Sequence, residues 1–322
     1  MGCGNSTGRI VTTQNSDVKS FQSLGMPLHR ILYFAKASYL CRGRDDVNIV
    51  DKRLTPDKST IATSEYLPST FLPGQNINYL EIPSVESLCV LATDDATKVH
   101  TIALRGTKTM GNVMDDAEMY SVVCDIINAT LHKGINDVKK GIKKGLTPHL
   151  NEGYSLQITG HSLGGASAIL LAVDYALNGW KIDSVVTFGS PRVGKTDFLK
   201  VLQDLQNAGQ IGPVVRVVEL DDIIPHLPPR TVLGFETGYI HIGNAIYLDD
   251  TAPDSFAHLT DFELELNREV TSDWGTMDID DLKSHFLSRY IKSIETMVKG
   301  GAKEICFADL VAAAALEDKK LD

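Results

Sequence analysis

The run Ile158-Thr159-Gly160-His161-Ser162-Leu163-Gly164-Gly165 sets a serine between two glycines at Gly-x-Ser-x-Gly spacing. Residues Ser155 to Thr159 read as a short apolar strand leading in, and Gly165 to Leu177 as a small-residue helix leading out. Ser162 is then the apex of a turn sharp enough to hold its hydroxyl clear of the sheet. The helix start beside it has free N–H groups that can face a developing oxyanion. That combination suits acyl transfer through a serine nucleophile. The competing reading is a glycine-rich strand-to-helix turn with a capping serine.

A serine hydroxyl is a weak nucleophile until an imidazole takes its proton and a carboxylate orients that imidazole. If the elbow belongs to an α/β-hydrolase, these groups follow in the order Ser, Asp/Glu, His, each at the carboxyl end of a strand. Asp221 and Asp222 end the apolar strand Pro213 to Leu220, and Ile223-Ile224-Pro225 turns the chain away from them. Asp222, adjacent to that turn, is the better placed; a turn or capping role remains open for either. The histidines further on are His226, His241, His258 and His285. His226 sits too close to Asp222 in a proline-rich loop, and His241 falls inside the expected strand Gly238 to Leu248. His285 opens a helix (His285 to Val298) after a loop, from which an imidazole can reach the serine; His241 stays open as the second choice. Two N–H donors are also required. Leu163, following the serine, supplies one, and Thr107, after the strand Val99 to Leu104, is placed for the other.

The elements that would carry these groups alternate between strand and helix, which implies a mainly parallel sheet. Leu88 to Thr93 and Val99 to Leu104 read as a hairpin around Asp94-Asp95-Ala96-Thr97. Leu24 to Leu40 reads as a helix with Leu28, Ile31, Leu32, Ala35 and Tyr39 on one face. Arg42 to Thr70 is given no regular structure. Lys133 to Leu146 reads as a helix whose Ile135, Val138, Ile142 and Leu146 oppose Lys139, Lys140, Lys143 and Lys144. A solvated face is the expectation for those lysines, a membrane-facing patch the alternative. Ser184 to Phe188 reads as a buried parallel strand and Lys195 to Ala208 as a helix.

The chain has 322 residues, 43% of them hydrophobic, enough for a sizeable core. Its net charge of −10 argues against nucleic acid as a partner. Cys3, Cys41, Cys89, Cys124 and Cys306 are scattered and odd in number, which suggests neither a disulfide framework nor a zinc site. The expected location is intracellular, and no metal or cofactor is called for. One domain over 21–322, preceded by a flexible tail over 1–20, is the simplest organisation. The start Met1-Gly2-Cys3-Gly4-Asn5-Ser6 fits the N-myristoylation pattern at Gly2, with Cys3 available for palmitate. Residues 1–44 carry six basic side chains against Asp17 alone, which suits an anionic cytoplasmic leaflet. This start resembles the dually acylated start of G-protein α subunits.

Taken together, the motifs resemble the class 3 lipases, fungal-lipase-like α/β-hydrolases, over about residues 85–298. They are Leu104-Arg105-Gly106-Thr107, Asn112 to Asp116, His132-Lys133-Gly134, the serine pentad with Gly165, Phe188 to Gly194, Asp222 to Pro228, Tyr239 to Gly243, and His285 to Tyr290. The resemblance implies an α/β-hydrolase fold with a mainly parallel sheet flanked by helices and a short lid. It implies a triad of Ser162, Asp222 and His285, with Thr107 in the oxyanion hole beside Leu163 and Asp116 anchoring its loop. Met110 to Tyr120, with Val113 and Met114, takes the place of the family's lid. Where the family usually carries a lid tryptophan this chain has Val113, and Ser284 stands where an aspartate usually precedes the catalytic histidine. The expected activity is hydrolysis of carboxylic esters in glycerolipids, acylglycerols before phospholipids, at a membrane surface. A catalytically silent binding scaffold and an acyl-thioesterase are the alternatives.

Overall fold

The computed structural model describes residues 28–40, 53–54, 76–82, 87–106, 121–232, 234–249, 255–259, 283–300 and 303–304. Ten strands join one sheet: β1 (Arg53–Leu54), β2 (Asn76–Ile82), β3 (Ser87–Asp94), β4 (Val99–Leu104), β7 (Ser155–His161), β8 (Ile182–Phe188), β9 (Val214–Glu219), β12 (Asn244–Leu248), β13 (Ser255–Leu259) and β14 (Lys303–Glu304). Two small hairpins stand apart, β5 (Ser121–Cys124) with β6 (Ala129–His132) and β10 (Thr231–Val232) with β11 (Phe235–Glu236). From β4 through β7, β8 and β9 to β12 every pairing is parallel, while β1 to β4 pair antiparallel. The mainly parallel sheet expected from the alternation of elements is present.

The helices are α1 (Leu28–Leu40), α2 (Lys133–Leu146), α3 (Leu163–Leu177), α4 (Thr196–Asn207) and α5 (Leu287–Gly300). They cover both faces of the sheet, and the strands divide their residues between two cores. Leu91, Ile102, Leu104 and Val185 pack with α2, α3 and α4; their neighbours Val90, Ala103 and Val186 pack with α1 and α5. A period of two with both faces apolar is what a covered strand requires. Each Leu, Ile or Val so buried contributes roughly 1.5–3 kcal/mol, and the Ala103 methyl about 0.8 kcal/mol.

Three expectations need correction. Gly238 to Leu248 is not one strand: β12 begins only at Asn244. Gly243 at φ +85° interrupts it, lying so close to Val214 that a Cβ would come within 2.7 Å. His241 is therefore in the approach to the strand. The lysine face of α2 is not wholly solvated either. Lys140 and Lys144 are exposed, but Lys139 is fully buried, its Nζ 2.6 Å from Asp174 Oδ2 on α3. Lys143 reaches the other oxygen, also at 2.6 Å. The one acidic residue in the apolar helix α3 thus draws in two cations from its neighbour, which a periodicity argument on α2 alone does not register. Arg42 to Thr70 holds the short strand β1, because its two residues pair with Leu80 and Tyr79.

Candidate active site

The parallel register brings the strand ends into line: Leu104 opposite Gly160, His161 opposite Phe188, Phe188 opposite Val217. Gly106, Ser162, Gly189 and Asp222 follow these ends, along the carboxyl edge of the sheet where open α/β folds bind ligands.

Ser162 lies between β7 and α3 at φ 59°, ψ −134°, a left-handed conformation unusual for a side-chain-bearing residue. Its N–H donates to Phe188 O at 2.9 Å, and its carbonyl accepts from Gly165 N at 2.9 Å. The strain falls on the serine itself, whereas its two glycines serve close approach. A Cβ on Gly160 would lie 2.4 Å from the backbone of Gly164, and one on Gly164 2.3 Å from Leu104 O. Strand and helix can meet at this angle only without those side chains. Leu163 is the first residue of α3, so its N–H belongs to the unpaired first turn, where negative charge is favoured.

Asp222 is wholly buried just past β9, while its neighbour Asp221 is exposed. Of the two, it is Asp222 that meets an imidazole. His285 donates from Nδ1 to the Asp222 carboxylate, 2.8 Å from Oδ2 and 3.0 Å from Oδ1. Ile224 N donates to Oδ1 at 2.9 Å and the Tyr290 hydroxyl to Oδ2. With its proton on Nδ1, His285 keeps the Nε2 lone pair, and Nε2 is buried with no hydrogen-bond partner among the described residues. It is available to take a proton from a serine hydroxyl. Tyr290, on α5, also accepts from Glu219 N at 3.3 Å. Burial, then the Asp222 charge, pushes its phenol well above the usual range, so it stays a donor.

His161, directly before the serine, stacks on His285 with ring centroids 4.6 Å apart. Its Nε2 lies 2.7 Å from the His285 carbonyl oxygen and its Nδ1 2.8 Å from the Tyr39 hydroxyl. Burial, and then the neighbouring His285, hold its pKa well below the usual imidazole value.

His241 and His226 do not join this group. His241 Nε2 donates to Pro225 O at 2.5 Å, bracing the 3₁₀ turn Ile224–His226 that follows Asp222. Burial, then Arg216 and Arg192, push His241 well below its usual pKa. His258 lies in β13, opposite Ile246. Thr107, the lid segment with Val113, Met114 and Asp116, and the acylation candidates Gly2 and Cys3 lie outside the described residues. Gly106, next to Thr107, is described: a Cβ there would fall 2.9 Å from Ser162 Cβ. Sequence reasoning gave no role to Tyr39, His161 or Tyr290. For Tyr290 a signal existed, since it shares with His285 the motif His285 to Tyr290.

Comparison with known proteins follows the same line. Residues 101–232 match the family model described as Lipase (class 3). A lipase of Rhizomucor miehei is 26% identical over 222 residues, covering 61% of this chain and 58% of the relative. The secreted mono- and diacylglycerol lipase 1 of Fusarium solani is 31% identical over 166 residues, covering 49% of this chain and 46% of the relative. The chain thus spans about half the length of these relatives. Among solved structures, Rhizomucor miehei triacylglyceride lipase superposes with a TM-score of 0.56 at 22% identity, covering 80% of this chain and 89% of that one. The fold is that of the α/β-hydrolases, and it is to the class 3 lipases that this chain is similar, across the segment that carries both Ser162 and Asp222.

Proposed function

We propose that the protein is a serine hydrolase of carboxylic esters, acting on acylglycerols. The observation that carries the reading is a left-handed Ser162 at a helix start, on the same sheet edge as a buried Asp222–His285 couple whose Nε2 has no hydrogen-bond partner among the described residues. Ser162 Oγ attacks the ester carbonyl as His285 Nε2 takes its proton. Asp222 fixes the ring orientation and stabilises the imidazolium. The Leu163 N–H, with a second donor assigned to Thr107, stabilises the tetrahedral oxyanion. His285 then returns the proton to the departing alkoxide, and water, activated by the same imidazole, releases the fatty acid and frees Ser162.

The relatives' names support a glycerolipid over a soluble ester. The Gly2 and Cys3 pattern with its basic surroundings supports tethering to the cytoplasmic face of a membrane, two acyl chains being what stable anchoring takes. The test is hydrolysis of short- and long-chain p-nitrophenyl esters and of emulsified diacylglycerol by wild type and Ser162→Ala. Turnover of long chains at the interface, lost in the variant, is the expected result. Turnover confined to short soluble esters would make the protein a general esterase. None at all from a folded wild type would leave a binding scaffold.

A further inference from the structure

We propose that Tyr39, on the helix α1 that precedes the sheet, is a positioning residue of the catalytic centre. The inference rests on the serine-hydrolase reading above. Tyr39 sits 67 residues from Gly106 and 122 from His161 in sequence, yet its hydroxyl touches both. Gly106 N donates to the Tyr39 oxygen at 3.1 Å. With that lone pair engaged, the hydroxyl directs its own proton to His161 Nδ1, 2.8 Å away. Nδ1 therefore accepts, and the His161 proton lies on Nε2, where it donates to the His285 carbonyl at 2.7 Å.

One directional chain thus runs from the strand end beside the second oxyanion donor, through Tyr39 and His161, to the backbone of the general base. Every donor in it has an acceptor, and reversing the Tyr39–His161 link would set the His161 Nε2 lone pair against the His285 carbonyl oxygen, acceptor against acceptor. The geometry of the rings agrees. Tyr39 meets His161 edge-on, at 69° and 5.7 Å, and His161 lies nearly flat against His285, at 30°. Burial holds the Tyr39 phenol far above its usual pKa, which keeps it protonated, and the depressed His161 stays neutral and cannot repel the imidazolium that forms on His285. Helix α1 is anchored for this purpose by Ile31, Leu32, Phe34 and Ala35 in the second core. It lies outside the residues 101–232 that match the lipase family model, so the match itself gives no reason to look there.

Tyr39→Phe keeps the ring and removes the hydroxyl alone. The variant, first checked by circular dichroism and thermal melting, is assayed on a p-nitrophenyl ester alongside His161→Phe and the double variant. Loss of one buried hydrogen-bonded link predicts a fall in kcat of about tenfold to a hundredfold with KM nearly unchanged. The double variant should lose no more than His161→Phe alone, since both act through one chain. In ¹⁵N-histidine spectra of wild type, His161 should show a proton on Nε2 and none on Nδ1; in Tyr39→Phe that preference should weaken. An unchanged kcat or additive losses in an active enzyme would overturn the inference alone, as would an Nδ1-protonated His161 in the wild type. A folded wild type that turns over no ester would overturn it together with the reading it rests on.

Discussion

Replacing Asp174 by alanine would strand the Lys139 ammonium, whose side chain has no exposed surface, between α2 and α3. Asp174 is 1% exposed, and its two oxygens are taken by Lys139 and Lys143 at 2.6 Å each. Removing one partner of a buried pair costs about 3–5 kcal/mol, because the remaining charge has neither water nor a counter-ion. Lys143→Met should cost about 1 kcal/mol or less: the Lys143 side chain is 24% exposed, and Lys139 still neutralises Asp174. The double variant Lys139→Met with Asp174→Leu should recover most of the loss, since an apolar replacement avoids the desolvation altogether. Urea unfolding at pH 7, followed by circular dichroism, measures all three. Asp174→Ala costing under about 1 kcal/mol, or a double variant as unstable as Asp174→Ala, would refute the reasoning. Acid adds a second check. Burial alone would raise the Asp174 pKa, but its bonds to the two lysines outweigh this and hold it below the usual value. The pair's contribution is thus present above the unfolded aspartate pKa of about 3.9 and is lost as pH falls towards the lower folded value.

Other outcomes follow from the site. Asp222→Asn should keep the fold yet lower kcat by about 10⁴-fold, the loss seen elsewhere when a triad carboxylate ceases to fix the imidazole tautomer; p-nitrophenyl ester turnover reads it. Gly160→Ala would place a Cβ 2.4 Å from Gly164 backbone, which cannot yield, and should destabilise by about 3 kcal/mol or more in a thermal melt. His161 and His241 are both held well below their usual pKa, whereas the unfolded chain takes up protons near pH 6.5. Stability should therefore fall as pH drops through about 6.5, by up to about 1.4 kcal/mol per pH unit for each histidine, and His161→Phe should remove its share.

The serine was legible because its turn is built from local requirements, and glycines at fixed spacing record those in the chain itself. Chain order and strand and helix ends put Asp222 and His285 first, with His241 left open until the family resemblance. The structure adds what turns them towards each other, including Ile224 N and the Tyr290 hydroxyl on Asp222. Lys139 was misread because helical periodicity reports which face a residue shares, not what lies opposite, and its partner Asp174 is 35 residues away. Tyr39 was placed on an apolar face of its helix, where it does pack, but its hydroxyl has its partner 122 residues further on. Contacts of that range leave no period in a single sequence. The overlong strand Gly238 to Leu248 fails for the opposite reason, a local backbone feature at Gly243 that alternating apolar residues concealed.

The central claim is that the Asp222–His285 couple activates Ser162. Labelling with a fluorophosphonate, mapped by peptide mass spectrometry, tests it most directly and needs no knowledge of the natural lipid. The account predicts one phosphonylated residue, Ser162, in the wild type, and its near-complete loss of reactivity in folded His285→Ala. A folded wild type left unlabelled at Ser162, or a His285→Ala variant labelled just as fast, would contradict it.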